Sequence, residues 1–268
     1  MKAIIVNDIR SQLGEGPTWY GATATLYWVD IEGRQIHAMS GFGNVRAFAT
    51  PQEIGCFIPL SADHGLAAME SGIYMADLQA GTFDFLCHPA KGTSYGRYND
   101  GKMSPDGIFY VGTMAGEPGQ NKLYAVRLDG SWSVVCEGIT CSNGLAWDMM
   151  RRRMYYIDSP TQCVIAFQYG QNGPFGGTTC IQIDPAEGMP DGMAIDRDGM
   201  LWIAHWGGGM ICQYNPDTGC RLRQVDLPAK YVTSAAFGSI CLDDLYITTA
   251  RQDDLSEAAG ALFCIRNV

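Results

Sequence analysis

Four short motifs along the chain place a carboxylate or amide side chain just before a glycine and an apolar segment. They read EGPTW from Glu15, NDGKM from Asn99, NGLAW from Asn143 and DGMAI from Asp191. Carboxylate and carboxamide oxygens are the ligands that hard cations such as Ca²⁺, Mg²⁺ and Mn²⁺ prefer, and Zn²⁺ or Fe²⁺ also occupies such sites. Asn-Gly and Asp-Gly are equally common in hairpin turns, so any one motif alone indicates a turn. Their chemistry therefore depends on whether the fold brings them together.

The elements that would position these motifs form an internal repeat. An apolar-aromatic strand, a short polar gap and a second strand recur six times. The repeats begin at Leu26, Leu66, Phe109, Met154, Leu201 and Leu245. The starts lie 40, 43, 45, 47 and 44 residues apart, which is about the period of a four-stranded propeller blade. The sequence therefore predicts an all-β fold, a six-bladed β-propeller with a central channel, built as a single domain over residues 1–268.

Local features agree with this architecture. Turn sequences such as NPDTG, SPDG, DRDG and RLDG separate the apolar runs, and the chain contains 33 glycines. Repeating β/α units would need helices between the strands, and the gaps are too short and too rich in turn residues. Residues 2–6 are expected to pair with residues 261–265, which would close the ring and protect its edges. The loop 252–260 is expected near the mouth of the channel.

The repeat gives the motifs a common position. About ten or eleven residues before each recurring strand stand Glu15, Gly55, Asn99, Asn143, Asp191 and Ser234. In a propeller, equivalent positions of successive blades lie at one level around the central axis. Carboxylates confined together repel one another and lose hydration, and a bound cation offsets both costs. The shared position of four polar motifs therefore predicts a divalent-metal site in the channel.

Composition excludes other classes of partner. The formal net charge of −10 argues against nucleic acid and anionic membranes, because both need clustered basic residues. The N-terminal segment lacks a signal-peptide pattern and no apolar run approaches the length of a membrane span, so we expect a soluble, cytoplasmic protein. None of the ten cysteines forms a CxxC pair, which favours reduced thiols that pack as small hydrophobic side chains.

Longer segments carry a family resemblance. LGEGPTW, RYNDGKMSPDGIFYVGTMAGE, SNGLAW with MYYIDS, PDGMAIDRDGMLWIAHWGG, and TSAAFG with LYITTAR resemble, in order and nearly end to end, the SMP-30/gluconolactonase/LRE family, which includes regucalcin and bacterial sugar lactonases. The resemblance implies a six-bladed propeller with one divalent cation at the top of its channel.

The resemblance also implies roles for individual residues. The implied metal ligands are Glu15, Asn143 and Asp191, which already share the repeat position described above. The implied substrate contacts are Arg97, Asn99 and Glu117. Asp191 is also the implied proton donor or acceptor. Asp100 and Asp158 are further candidates for residues that support the ligands, although Asp158 equally fits an ordinary turn aspartate at a strand end.

The implied activity is the metal-dependent hydrolysis of a sugar lactone to its sugar acid, with glucono-, xylono- or arabinono-lactone as typical substrates. A divalent cation (Ca²⁺, Zn²⁺, Mn²⁺, Mg²⁺ or Fe²⁺) would polarise the lactone carbonyl and supply a more acidic water. Asp191 would then act as general base, orient the nucleophile, or attack the carbonyl directly.

Two other functions compete with lactone hydrolysis. One is a related propeller hydrolase that acts on other esters or organophosphates, and the other is a non-catalytic calcium-binding propeller. The polar set Arg97, Asn99 and Glu117 favours a sugar over a phosphotriester, whose pocket should be more apolar. His205 fits a packed histidine beside Trp206 better than a ligand, because no HxH or HExxH spacing is present.

Overall fold

The computed structural model describes residues 1–41, 43–114 and 116–268, which fold almost entirely into β-strands. The first twelve are β1 (Ile4–Arg10), β2 (Gly14–Tyr20), β3 (Thr25–Asp30), β4 (Gln35–Ser40), β5 (Asn44–Ala49), β6 (Ile54–Pro59), β7 (His64–Met69), β8 (Gly72–Asp77), β9 (Thr82–Cys87), β10 (Arg97–Met103), β11 (Phe109–Met114) and β12 (Asn121–Val126). The next twelve are β13 (Trp132–Ile139), β14 (Ser142–Asp148), β15 (Arg153–Asp158), β16 (Cys163–Gly170), β17 (Gly173–Gln182), β18 (Met189–Ile195), β19 (Leu201–Trp206), β20 (Met210–Tyr214), β21 (Arg221–Asp226), β22 (Tyr231–Gly238), β23 (Asp244–Ala250) and β24 (Ala261–Ile265). Three short 3₁₀ turns cover Gly21–Thr23, Ser159–Thr161 and Pro185–Glu187.

The strands form antiparallel sheets in a propeller-like arrangement. Four separate four-stranded sheets contain β2–β5, β6–β9, β10–β13 and β14–β17. The remaining strands form one eight-stranded sheet, in which β18–β21 meets β22–β24 and β1 through the single pair Trp206 and Tyr231. The predicted all-β propeller class is therefore confirmed, and the predicted six blades are seen as four separate sheets plus this larger one.

The chain ends close the structure as the sequence predicts. Ile4 pairs with Cys264 and Ile5 with Phe263, so β1 lies antiparallel beside β24. The first strand of each four-stranded unit is hereafter called an inner strand: β2, β6, β10, β14, β18 and β22. Each inner strand contacts the next one in this order, and β22 contacts β2. The inner strands therefore form a closed ring.

Apolar side chains fill the space between neighbouring sheets. Tyr27 of β3 packs on Phe57 of β6 with ring centroids 5.4 Å apart, and both are buried. Cys56, Cys212 and Cys264 are buried in such clusters as free thiols, where they act as small apolar side chains. Among the described residues, no helix has both the length and the apolar character needed to cross a membrane.

Every inner strand is interrupted by a register shift at or within one residue of the predicted common position. The shifts fall at Glu15/Thr18, Ile54/Cys56, Tyr98/Gly101, Ser142/Leu145, Pro190/Met193 and Val232/Ser234. A bulge bends a strand and changes the direction of the side chains beside it. The predicted common positions lie within these bulges in β6, β10, β14 and β18, and two strands differ. In β2 the predicted Glu15 still pairs with Val29 and the extra residues follow it. In β22 the bulged residue is Thr233, one position before the predicted Ser234, because spacing alone does not show where an extra residue is inserted.

Glycines allow the inner strands to approach one another at the bulges. A Cβ atom on Gly144 would lie 2.7 Å from the carbonyl oxygen of Asp191, and one on Gly192 would lie 2.0 Å from Oγ of Ser234. Both distances are shorter than non-bonded atoms tolerate, so a larger residue would push the strands apart. The Asn-Gly and Asp-Gly dipeptides of β14 and β18 therefore serve close strand packing and not the hairpin turns that they also suggest.

Candidate functional site

A cavity of about 330 Å³, hereafter the mouth cavity, lies at one end of the inner strands. Its lining includes all three predicted metal ligands, Glu15, Asn143 and Asp191, and the predicted substrate contacts Arg97 and Asn99. These side chains come from β2, β10, β14 and β18 and stand at or beside the bulges of those strands. The fold therefore brings together five of the six residues predicted as metal ligands or substrate contacts.

The two carboxyl groups of the mouth cavity lie in a strongly perturbed environment. Glu15 is 7% exposed and Asp191 5% exposed. Burial, and then the charge of Asp100, raises the pKa of Glu15 to about 8. Burial, followed by the charges of Glu15 and Asp100, raises the pKa of Asp191 well above its ordinary value. The carboxylates therefore repel one another across the cavity, and a cation between them would remove that cost.

A hydrogen-bonded chain connects the site residues of three inner strands. Arg97 donates from Nη1 to Oδ1 of Asn99 at 2.5 Å, and Asn99 donates from Nδ2 to Oδ1 of Asn143 at 2.9 Å. Asn143 in turn donates from Nδ2 to Oγ of Ser159 at 2.7 Å, and Ser159 donates to the carbonyl oxygen of Pro190 at 2.6 Å. This series of hydrogen bonds ends at Pro190, the residue directly before Asp191.

Ser159 decides the orientation of the Asn143 amide. Its one hydroxyl hydrogen is donated to Pro190, so its oxygen can only accept from Asn143. The NH₂ group of Asn143 therefore faces Ser159, and its carbonyl oxygen, which accepts one hydrogen bond from Asn99, keeps its second lone pair for a metal ion. Sequence reasoning missed Ser159, which directly follows Asp158 in the YYIDS segment.

The donor set fits a hard divalent cation. Two carboxylates and one amide oxygen from Glu15, Asp191 and Asn143 provide three oxygen donors in one buried cavity. Within the described ranges, no three His, Cys, Asp or Glu side chains cluster as a metal site, and this set contains only two such residues. The third donor is the amide of Asn143.

Charge at the mouth cavity is dominated by acidic groups. Arg97 is the one cationic side chain among its described lining residues, and Glu32 and Gln252 stand with it there. Gln252 donates to Oε1 of Glu32 at 3.2 Å. Burial lowers the pKa of Arg97, and the charge of Glu15 opposes that effect. The expected position of the loop beginning at residue 252 near the mouth is confirmed for Gln252.

Asp100 and its neighbour Lys102 lie behind the ligands on β10. Asp100 is buried and accepts a hydrogen bond from Gly101 N at 2.8 Å. Burial raises its pKa and the charge of Lys102 lowers it. Lys102 donates from Nζ to the carbonyl oxygen of Met193 at 2.8 Å. Asp100 does not line the mouth cavity, but its charge acts on the Glu15 carboxyl there.

The other candidates occupy different positions. Asp158 is buried and accepts hydrogen bonds from the backbone before Asn143. His205 is fully buried and packs against Tyr214 outside the cavity lining, as the sequence favours. Glu117 is exposed after β11 and is not among the residues that line the mouth cavity. Its substrate contact stays a prediction.

Known proteins match this chain over nearly its whole length. A family model described as SMP-30/Gluconolactonase/LRE-like region matches residues 13–251. The chain belongs to this family. Regucalcin of Danio rerio is 34% identical over 248 residues, which cover 90% of this chain and 84% of that protein. The 6-deoxy-6-sulfogluconolactonase of Pseudomonas putida is 31% identical over 267 residues, which cover 96% and 91%.

A solved structure of the family shares the fold. The calcium-binding protein regucalcin from Agrobacterium tumefaciens superposes with a TM-score of 0.90 at 25% identity, over 97% of this chain and 92% of that one. The resemblance inferred from the motifs is therefore confirmed at the level of family and fold.

Proposed function

We propose that this protein is a metal-dependent lactonase that hydrolyses a neutral aldonolactone, such as glucono-, xylono- or arabinono-lactone, to the sugar acid. The observation that carries the proposal is the pair of buried, mutually repelling carboxyls of Glu15 and Asp191 in one cavity with Arg97 and Asn99. Pocket carboxyls with strongly shifted pKa values are typical of catalytic and metal sites. Relatives named for lactone hydrolysis support lactone hydrolysis in general.

The architecture in this proposal is a six-bladed, single-domain propeller over residues 1–268. The eight-stranded sheet is interpreted as two blades, because only Trp206 and Tyr231 pair across its middle. The closed ring of inner strands supports this interpretation. We also propose a cytoplasmic location, since all ten cysteines are free thiols.

Glu15, Asn143 and Asp191 would hold the divalent cation, which is Ca²⁺, Zn²⁺, Mn²⁺, Mg²⁺ or Fe²⁺ in this proposal. When bound, such an ion supplies Lewis-acid polarisation of a carbonyl group and stabilises negative charge on its oxygen. The same charge would lower the raised pKa values of the two carboxyls, which keeps them ionised at neutral pH.

The side chains of the protein would bind the sugar and move the proton. Arg97 and Asn99 lie beside the ligands and have donors suited to sugar hydroxyls. Asp191 accepts a proton at its carboxylate as a water oxygen attacks the lactone carbonyl carbon. It returns that proton to the ring oxygen when the bond between the carbonyl carbon and the ring oxygen breaks. The product is the open-chain hydroxy acid.

The charge of the mouth cavity favours a neutral substrate. Arg97 is the one cation of its described lining, and it already donates to Asn99 and lies 3.8 Å from Oε2 of Glu53. Glu32 adds a negative charge to the same cavity. An anionic substituent on the sugar would therefore meet acidic groups without a free cation to pair with.

Chelation followed by metal addition tests the function. Protein treated with EDTA should lose hydrolysis of a panel of aldonolactones, measured by proton release, and regain it with one divalent ion. Neutral lactones should be hydrolysed with at least about tenfold higher kcat/KM than 6-phosphogluconolactone. The proposal fails if no lactone is hydrolysed with any of the five ions.

A further inference from the structure

The residue that pairs with the position one before each predicted common position, or in β22 one before the bulged Thr233, differs among the six units. In the order of the inner strands, these partners are Asp30, Met69, Thr113, Asp158, His205 and Thr249. Each lies at or next to the end of the second strand of its unit. The bulge of β2 begins one residue later than the others, but Asp30, like its counterparts, lies opposite the residue just before the position that the repeat makes common. The six side chains can therefore be compared directly.

Asp30 holds the segment that enters the inner strand of the first unit. Its Oδ2 accepts from Gln12 N at 2.9 Å and its Oδ1 from Leu13 N at 3.0 Å. These amides come two and three residues before Glu15, a predicted metal ligand. The carboxylate is buried, and a Cβ atom on Gly33 would lie only 2.4 Å from its Oδ2. Gly33 N also donates to Oδ1 of Asp30 at 3.0 Å, so the carboxylate is closely confined between Gly33 and the segment that it holds.

Asp158 makes the same contact in the fourth unit. Its Oδ1 accepts from Cys141 N at 2.8 Å and its Oδ2 from Thr140 N at 3.1 Å. These amides come two and three residues before Asn143, the second predicted ligand. Two carboxylates from units more than a hundred residues apart therefore fix the same two backbone positions relative to a ligand.

His205 holds the corresponding segment of the fifth unit with the opposite polarity. Its Nδ1 lies 3.0 Å from the carbonyl oxygen of Glu187, and a carbonyl can only accept, so Nδ1 donates. Glu187 comes four residues before Asp191, the third predicted ligand. The other ring nitrogen lies 3.2 Å from the hydroxyl of Tyr214. The ring is fully buried, and both nitrogens have partners.

The three units without a predicted ligand have other side chains and other contacts at this position. Met69 is apolar. Thr113 accepts from Lys122 N at 3.2 Å, and Thr249 donates to the carbonyl oxygen of Ala261 at 2.7 Å. Both threonines thus form these hydrogen bonds with the third strand of their own unit, β12 or β24, and not with the segment that enters the inner strand.

We propose that Asp30, Asp158 and His205 are positioning residues, each of which fixes the backbone that presents one metal ligand to the cavity. This inference rests on the proposed metal site. Residues that hold ligands through a second layer of hydrogen bonds commonly change metal affinity by about 10- to 100-fold when replaced. Here the second layer acts through the backbone that precedes the ligand.

Metal binding by calorimetry tests the role without any lactone. Wild-type protein, Asp30→Asn, Asp158→Asn and His205→Gln are titrated separately with Ca²⁺ and with Mn²⁺ after EDTA treatment. Asparagine preserves the shape of aspartate but presents an NH₂ group to one of the two backbone amides. Each variant is expected to bind the ion that wild type prefers at least about tenfold more weakly.

Thr249→Val is the matched control, since it removes a buried hydrogen bond at the same structural position in a unit without a ligand. It should lower the thermal unfolding midpoint while its metal Kd stays within about twofold of wild type. A merely structural role for the aspartates would give this same result for them.

The outcomes separate the two proposals. Wild-type metal affinity retained in folded Asp30→Asn and Asp158→Asn overturns the positioning role alone. Wild-type protein that binds neither Ca²⁺ nor Mn²⁺, and none of Zn²⁺, Mg²⁺ and Fe²⁺ in the same titration, defeats the proposed metal site, and the positioning role with it. If one aspartate variant does not fold, the other variant and His205→Gln decide the result.

Discussion

The two ends of the inner strands hold two cavities that differ in size and in chemistry. The far cavity has a volume of about 590 Å³ and is lined by the opposite ends of these strands, including Trp19, Lys102 and Phe237. It is larger than the mouth cavity, at about 330 Å³. Lys102 is the one charged side chain among its described lining residues. The smaller cavity holds the converging carboxylates, so convergent polar groups identify the candidate site better than volume does.

The inner strand β10 shows how the two ends are kept apart. Arg97 and Asn99 line the mouth cavity, Lys102 lines the far cavity, and Asp100 lies buried between them. The charge of Asp100 raises the pKa of Glu15 at one end, and the charge of Lys102 lowers the pKa of Asp100 at the other. The strand β10 therefore has candidate site residues at one end, and at the other end a lysine whose charge compensates the buried Asp100.

Loss of Asp191 should have the largest effect. Asp191→Asn is expected to reduce kcat for lactone hydrolysis by at least about 10³-fold, because the proton acceptor and one metal ligand are both lost. The metal-free variant should unfold at a higher temperature than wild type at pH 8, since one of the repelling buried carboxylates is gone. Proton-release assays and thermal unfolding measure the two effects.

An active Asp191→Asn variant would contradict the assignment of the catalytic site to the carboxylates of the mouth cavity. A variant that loses activity together with its folded circular-dichroism spectrum would not count as support. Asn143→Ser, which keeps a small polar group at a predicted ligand, provides a second measurement at the same cavity.

The charge at the far cavity should matter for stability and not for chemistry. Lys102→Met is expected to lower the free energy of unfolding by about 3 kcal/mol at neutral pH, because it leaves the buried Asp100 carboxylate without its compensating cation. The effect should shrink at acidic pH, because burial raises the pKa of Asp100 and the carboxylate therefore takes up a proton there more readily. Denaturant unfolding at neutral and at acidic pH measures it.

The control for Lys102→Met is the double variant Asp100→Asn/Lys102→Met. Removing both charges should restore much of the stability lost in the single variant, and a double-mutant cycle gives the coupling. Additive losses would show that the two groups do not compensate each other.

Much of the fold and part of the site could be predicted from the sequence because both repeat. The six recurring strands placed Glu15, Asn143 and Asp191 at one level, and the bulges of their strands begin at Asn143 and Asp191 and directly after Glu15. The glycine after each of these residues was a useful signal because close packing at the ring requires it, as Gly144 and Gly192 show.

The remaining site residues depend on contacts that spacing does not encode. Ser159 reaches Pro190 in the next unit, and Gln252 reaches Glu32 across the closure of the ring. A bulge adds one residue without a sequence mark, which is why Ser234 was expected where Thr233 stands. Each of these features is set by the packing of neighbouring units.

The stability of the metal-free protein should fall as pH rises. The pKa of Glu15 is raised from 4.5 to about 8 in the folded protein, first by burial and then by Asp100. Such a group favours folding below its unfolded pKa, and this contribution is lost as pH rises through the folded pKa. The unfolding midpoint in EDTA should therefore drop between about pH 5 and about pH 8. Saturating divalent ion should abolish most of that drop.

Glu15→Gln is the control for this pH dependence, because it removes the titrating group and keeps its shape. Its midpoint in EDTA should change less across the same range than that of wild type. Equal slopes for the two proteins would show that Glu15 does not determine the pH dependence.

The smallest effect is expected at the far cavity surface. Ile240 lines the far cavity and is 95% exposed, so Ile240→Ser should change the free energy of unfolding by no more than about 0.5 kcal/mol. It should leave kcat/KM for the lactone unchanged, since no catalytic or binding group lies there in the proposed function. A large loss of lactone hydrolysis in this folded variant would mean that substrate or product uses the far end of the channel. The larger cavity would then belong to the working site, and convergent charge alone would no longer distinguish the two ends.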